Sequence, residues 1–89
     1  MSHYNVTFIG EYSVLTSVVT IESDDVTDLT DGDKALIAEA CDCDIDFVGE
    51  VEFEDYMTEL ARKNLKDFYG IDFVGAGLAD HGVEVEPLN

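Results

Sequence analysis

Residues 42–54 alternate between acidic and apolar side chains, which is the most regular pattern in the sequence. The even positions from Asp42 to Glu54 read Asp, Asp, Asp, Val, Glu, Glu, Glu, and the odd positions from Cys43 to Phe53 read Cys, Ile, Phe, Gly, Val, Phe. Successive side chains of a β-strand point to opposite faces, so a period of two would place the acidic side chains on one face and the apolar side chains on the other. The pattern predicts a strand centred on Ile45–Phe53, acidic on one face, apolar on the other and bent at Gly49.

The middle of this segment, IDFVGE at Ile45–Glu50, has two near-copies. They are VTFIGE at Val6–Glu11 and IDFVGA at Ile71–Ala76. The unequal spacings of 39 and 26 residues argue against a repeat of fixed period. The shared order of apolar, polar, aromatic, apolar and glycine predicts three strands that each end in a glycine bend. In the middle copy we expect Phe47 to be a buried anchor and Asp46 to point outward.

The flanking segments predict a small α+β domain. The expected strands are Tyr4–Ile9, Val14–Glu22, Ile71–Val74 and Val83–Glu86. The expected helices are Asp33–Cys41, capped by Thr30 or Asp31, and a second helix through Tyr69, capped by Asp55 and ended by Gly70. Together with the strand centred on Ile45–Phe53, the order is β-β-α-β-α-β-(β). We expect a mainly antiparallel sheet with two helices, in one domain that spans residues 1–89.

The charge is strongly one-sided. The chain has 21 acidic residues against four basic residues, for a formal net charge of −17. Such a chain repels nucleic acid and anionic membranes, so neither is an expected direct partner. The chain has no apolar run of the ~18 residues that a membrane helix needs, and its first residues lack the pattern of a signal peptide. We expect a cytoplasmic protein.

No motif indicates catalysis or a cofactor. Neither Gly32 nor Asp42 fits an EF-hand calcium frame. Cys41 and Cys43 do not form a CxxC pair and are expected to be inert, with Cys43 buried. The Gly75–Gly77 loop lacks the lysine of a phosphate-binding loop, and His81 is expected to be solvated. We therefore expect a non-enzymatic protein without a cofactor or a metal ion.

The acidic residues are the best candidates for partner binding. The alternating set is Asp42, Asp44, Asp46, Glu50, Glu52 and Glu54, and the preceding loop adds Asp24, Asp25, Asp28 and Asp31. Side chains on one strand face repeat every ~6.6 Å, and nucleic-acid phosphates also form a regular row of negative charge. We expect this row to dock on a basic protein surface. An ordinary solvated sheet face is the alternative, although opposite charges across strands would stabilise it better.

The opening segment NVTFIGEYSVLTSVVTIESDD predicts a strand pair that leads into an acidic helix start. Three features carry a resemblance to a known type of protein: this segment, the short length and the negative charge. The chain resembles the small acidic accessory proteins that bacteriophages carry. Some of these mimic DNA and inhibit restriction enzymes, CRISPR nucleases, repair enzymes or other host factors. The resemblance is one of type, so it transfers no functional residue. It implies a viral inhibitor that binds a host nucleic-acid-binding protein in the host cytoplasm.

Two other functions remain open. A salt-adapted protein without a particular partner would spread its acids evenly over the surface. A small homo-oligomeric assembly module, such as a homodimer, would use an apolar patch near Tyr56, Phe68 and Tyr69. A small hydrolase or metal protein ranks last.

Overall fold

The computed structural model describes residues 1–72 and 82–88, and it contains a three-stranded antiparallel sheet. The strands are β1 (Ser2–Ile9), β2 (Val14–Ile21) and β3 (Gly82–Pro87), with β1 in the centre. Val6 lies opposite Ser17 on β2 and opposite Val85 on β3. The predicted α+β class, with a mainly antiparallel sheet and two helices, is confirmed.

The sheet buries one face, which follows from the period of two in β1 and β2. Val6 and Phe8 of β1 and Val19 and Ile21 of β2 are almost completely buried. The alternate residues point to the opposite face, where the Thr7 and Thr16 hydroxyls lie 3.1 Å apart. Both helices therefore lie on the apolar side of the sheet.

Both helices end where the sequence predicts, but the first begins two residues before Asp33, and Glu52 rather than Asp55 takes the N-cap position of the second. Helix α1 (Asp31–Cys41) begins after Thr30, whose hydroxyl accepts a hydrogen bond from the backbone N–H of Asp33. Helix α2 (Phe53–Tyr69) ends at Gly70, which takes the left-handed conformation at φ 63° that glycine adopts without steric cost. Met57, Ala61 and Leu65 of α2 are buried in the core against the sheet, and α1 packs on α2.

Asp33 is a fully buried carboxylate that links the sheet to α1. Its oxygens accept hydrogen bonds from the backbone N–H groups of Glu22 (2.8 Å), Ser23 (3.0 Å) and Thr30 (3.3 Å). Burial alone would raise the pKa of Asp33, but these three donors and the Thr30 hydroxyl outweigh it and lower the pKa below its usual value. Asp33 therefore fixes the end of β2 against the first turn of α1.

The prediction of a strand centred on Ile45–Phe53 is wrong. Residues Ile45–Glu50 form a 3₁₀ helix, and α2 already begins at Phe53. The connection is anchored by Val48, which is 2% exposed, whereas Phe47, the expected anchor, is 53% exposed. The segment joins two helices and pairs with no described strand, so it forms its hydrogen bonds locally, from the N–H of Phe47 to the carbonyl of Asp44, for example.

The prediction of a strand at Ile71–Val74 is wrong for Ile71 and Asp72, which are not in a strand. The N–H of Ile71 bonds to the carbonyl of Leu65 and completes the C-terminal cap of α2. The rest of that strand, the Gly75–Gly77 loop and His81 lie outside the described residues. The described helices include none that is long and apolar enough to cross a membrane.

Candidate functional site

The six alternating acids are all exposed, but they do not form a straight ladder. We call residues 42–54, which hold them, the acidic connection. Asp42 is at the C-cap position of α1, Asp44 precedes the 3₁₀ helix, and Asp46 and Glu50 lie within it. Glu52 is at the N-cap position of α2, where its side chain makes no capping hydrogen bond, and Glu54 lies in the first turn of α2. The acids thus follow a path around three helix ends, and the regular spacing expected of a strand face is lost.

Local structure explains four of these acids. Asp44 and Asp46 lie at the start of the 3₁₀ helix, and Glu52 and Glu54 lie at the start of α2. A negative charge at a helix N-terminus interacts favourably with the helix dipole and the free N–H groups. These four carboxylates therefore contribute to helix stability whether or not a partner binds them.

Asp42 and Glu50 have no such local explanation. They lie at the C-terminal ends of α1 and the 3₁₀ helix, where the dipole disfavours negative charge. Asp42 also takes the left-handed conformation at φ 53°, which glycine adopts without steric cost and aspartate tolerates better than most other residues. Negative charge at these two positions reduces the stability of the helix ends. A role in binding a partner would therefore explain these two acids better than a structural role.

Two basic residues of α2, Arg62 and Lys63, pair with acids outside the connection. Arg62 Nη1 lies 2.7 Å from Glu59 Oε1, and Lys63 Nζ lies 3.0 Å from Asp67 Oδ2 and 3.4 Å from Glu39 Oε1. These groups line a cleft between the end of α1 and the middle of α2. Within residues 1–72 and 82–88, no basic group lies within 4 Å of a carboxylate of the acidic connection. The negative charge of the connection is therefore uncompensated by ion pairs there.

The structure brings some of the predicted loop acids to the connection. Asp31 of α1 and Asp46 of the 3₁₀ helix line one shallow depression with Lys34. Asp28 lines a neighbouring pocket that also includes Lys34 and Val48. Lys34 lies more than 4 Å from these carboxylates, too far for an ion pair. Asp28, Asp31 and Asp46 thus extend the acidic connection into a wider surface.

The other two loop acids have local partners. Asp24 pairs with the amino group of Met1. Asp25 accepts hydrogen bonds from the backbone N–H and the hydroxyl of Thr27, at 2.9 and 2.8 Å, and these bonds lower the pKa of Asp25. Both carboxylates are exposed, but their contacts already hold them at the loop.

Two exposed apolar side chains lie among the acids, a feature that the strand prediction missed. Ile45 is 46% exposed and Phe47 is 53% exposed. Phe47 lines a shallow depression with Asp42, Cys43 and Asp44. The surface is therefore an acidic rim around apolar groups. The sequence does carry a signal for this structure, because Ile45, Val48 and Val51 recur every three residues, the period of a 3₁₀ helix.

The described residues offer little redox or metal chemistry. Cys41 and Cys43 are unpaired and half-buried, so the expected burial of Cys43 is only partial. Burial and the nearby thiol and carboxylates raise the pKa of the Cys41 thiol, which disfavours the reactive thiolate. Among residues 1–72 and 82–88, no three His, Cys, Asp or Glu side chains are grouped to hold a metal ion.

No protein-family model, curated protein or solved structure matches this chain. The functional conclusion therefore depends on the chemistry of the acidic surface.

Proposed function

We propose that this protein is a non-enzymatic binding protein that docks through its acidic surface on a basic, nucleic-acid-binding surface of a host protein. In this proposal it acts as a DNA-mimicking inhibitor of the bacteriophage type. The observation that supports it is charge segregation. The connection has six acidic residues and no basic residue, and its exposed carboxylates form no ion pair with the described bases.

A basic partner would relieve an electrostatic cost that the protein carries alone. Exposed carboxylates at uncompensated positions repel one another and destabilise the folded state. A surface that binds phosphates supplies the opposite charge. Long-range attraction would make association fast and sensitive to salt. The protein would therefore compete with nucleic acid for the same surface.

The exposed apolar groups give this proposal a second component. Binding energy at interfaces is concentrated in a few buried anchors, among which aromatic residues are common. Phe47 and Ile45 lie among the acids and are about half exposed. Their burial against a partner would add an attraction that salt does not screen. We expect the complex to weaken in salt without losing all of its affinity.

The test uses two variants that remove the same number of charges. The tagged protein first captures its partner from a lysate of the candidate bacterial host. One variant then combines Asp42→Asn, Asp44→Asn and Asp46→Asn in the acidic connection. The control combines three substitutions elsewhere: Glu11→Gln, Glu84→Gln and Glu86→Gln, all at exposed positions.

The connection variant should bind the purified partner about tenfold more weakly, as the loss of three exposed charge contacts of roughly 0.5 kcal/mol each implies. The control should change affinity much less. If both variants lost the same affinity for the partner, binding would depend on the net charge of the protein and not on the acidic connection. Unchanged affinity of the connection variant would place the docking surface elsewhere, and either result would contradict the proposal.

A further inference from the structure

Strand β2 is an uncharged edge in a highly acidic protein. It reads VLTSVVTI from Val14 to Ile21, without an acidic or basic residue. It lies at one side of the sheet, next to β1, and no other described strand pairs with its outer edge. Val14 and Val18 are 63% and 50% exposed. Such a strand presents backbone groups that can pair with another strand.

Backbone hydrogen bonds on the two sides of β1 define which backbone groups of β2 point outward. The N–H of Gly10 donates to the carbonyl of Ser13 at 2.8 Å, and the N–H of Leu88 donates to the carbonyl of His3 at 2.9 Å. Hydrogen-bonded and non-bonded pairs alternate along antiparallel strands. Val14, Thr16, Val18 and Thr20 are therefore the residues of β2 that direct both N–H and C=O away from β1.

The contact of α2 with this edge agrees with that assignment. The side-chain amide of Asn64 donates to the carbonyl oxygen of Val18 at 3.5 Å, so that oxygen points away from β1. Its second lone pair can still accept a hydrogen bond from another strand. Phe68 follows Asn64 by one helical turn on the same side of α2 and is 79% exposed. The helix thus adds an exposed aromatic ring near the uncharged edge.

We propose that a second copy of this chain binds the β2 edge in antiparallel orientation, so that the two sheets join into one of six strands. In the register that fits best, Thr16 lies opposite Thr16 of the second copy. Val14 then lies opposite Val18 of that copy, and the reciprocal pair follows by symmetry. All three pairs use outward-pointing N–H and C=O groups, and the valines contact each other on the outer face.

Charge explains why the second copy would choose this edge. Two chains of net charge −17 repel each other over most of their surface. The other edge strand, β3, carries Glu84 and Glu86 on its outer face and ends at Pro87, which are features that prevent edge pairing. β2 carries none of these features. An approach through β2 therefore has the lowest electrostatic cost, and it shares no residue with the acidic connection.

The experiment measures mass by sedimentation equilibrium over a range of protein and salt concentrations. The 9.8 kDa chain should approach twice its mass as concentration rises. Added salt should strengthen the association, because it screens the repulsion between copies. Salt has the opposite effect on docking to a basic partner, so failure of one proposal is distinguishable from failure of the other.

Two matched substitutions test the register. Thr16→Lys would place two like charges directly opposite each other and should reduce dimer formation at least tenfold. Thr7→Lys makes the same change on the same face, in the central strand, and should leave the dimer intact. In the unmodified protein, dimer formation should slow amide hydrogen exchange at Thr16 and Val18.

Three results would overturn the proposal. One is a monomer at every concentration and salt level. Another is a dimer that Thr16→Lys and Thr7→Lys affect equally, since its interface would lie elsewhere. The third is a dimer in which the amides of Thr16 and Val18 exchange as fast as in the monomer. Circular dichroism of both variants shows whether a lost dimer reflects lost folding.

Discussion

Two segments with nearly the same sequence pattern adopt different structures. In VTFIGE at Val6–Glu11, the first four residues form the end of β1, whereas IDFVGE at Ile45–Glu50 forms a 3₁₀ helix. In β1 the aromatic residue Phe8 is fully buried and the next residue, Ile9, is 41% exposed. In the 3₁₀ helix the two positions exchange roles, because Phe47 is exposed and Val48 is buried.

The neighbours of each segment explain the difference. β1 lies between two strands, so its backbone groups find partners on both sides and its side chains alternate. The acidic connection lies between α1 and α2, where its backbone bonds locally and turns about every three residues. Short patterns of apolar residues thus restrict a segment to a few structures, and the tertiary partner selects among them.

The largest expected effect separates the two aromatic residues. Phe8→Ala removes a fully buried ring from the central strand and should reduce the free energy of unfolding by about 3–5 kcal/mol. Phe47→Ala removes a half-exposed ring and should reduce it by less than about 1 kcal/mol. Urea unfolding of both variants measures the difference. Similar losses would mean that Phe47 is a core residue and that the 3₁₀ assignment is wrong.

A smaller effect is expected at Asp33, which joins the sheet to the helices. Asp33→Asn keeps the shape but removes a charged acceptor of three backbone N–H groups, at a cost of about 2 kcal/mol. Because folding lowers the pKa of Asp33, its contribution is fully present above the unfolded pKa of about 4. It is lost as the pH falls through the lower pKa of the folded state.

The stability difference between the unmodified protein and Asp33→Asn should therefore shrink in acid. Urea unfolding at several pH values measures that difference. The other acidic residues are the same in both proteins, so the effect of their protonation on stability cancels in the difference. Asp31→Asn, in the same helical turn but exposed, is the control for the removal of one charge. A difference that stays constant down to low pH would contradict the structural role assigned to Asp33.

The smallest expected effect is a gain in stability. Asp42→Gly places glycine at a left-handed position and removes a carboxylate from the end of α1, so it should add about 0.5–1 kcal/mol. Asp44→Gly, at an extended position, should give no gain. Thermal unfolding compares the two. Loss of stability in Asp42→Gly would show that this aspartate stabilises the fold and would remove the reason to assign it a functional role.

The sequence predicted those parts of the fold in which local preference and tertiary contacts agree. The alternation of Val19 and Ile21 indicated β2, and Thr30 and Gly70 marked the ends of the helices. The contacts of Asp33 were not predictable in this way, because they depend on where β2 ends, some ten residues earlier. The acidic connection was misassigned because acids at alternate positions suit a strand face and successive helix ends equally well.

The same distinction applies to the candidate site. The sequence predicted which acids are candidates for a docking surface, and all ten are exposed in the structure. It could not predict that Asp31 and Asp46 share one depression while Asp24 and Asp25 have local partners. These arrangements depend on how α1, the loop before it and the 3₁₀ helix pack together. The role of the acids in binding remains a prediction.

Competition with nucleic acid tests the proposed function most directly. The captured partner, purified and immobilised, is loaded with this protein and then exposed to increasing duplex DNA at fixed ionic strength. DNA should displace the protein completely and in proportion to its own affinity for the partner, and the protein should in turn block DNA binding. Formation of a ternary complex, in which DNA and the protein bind the partner together, would contradict the account.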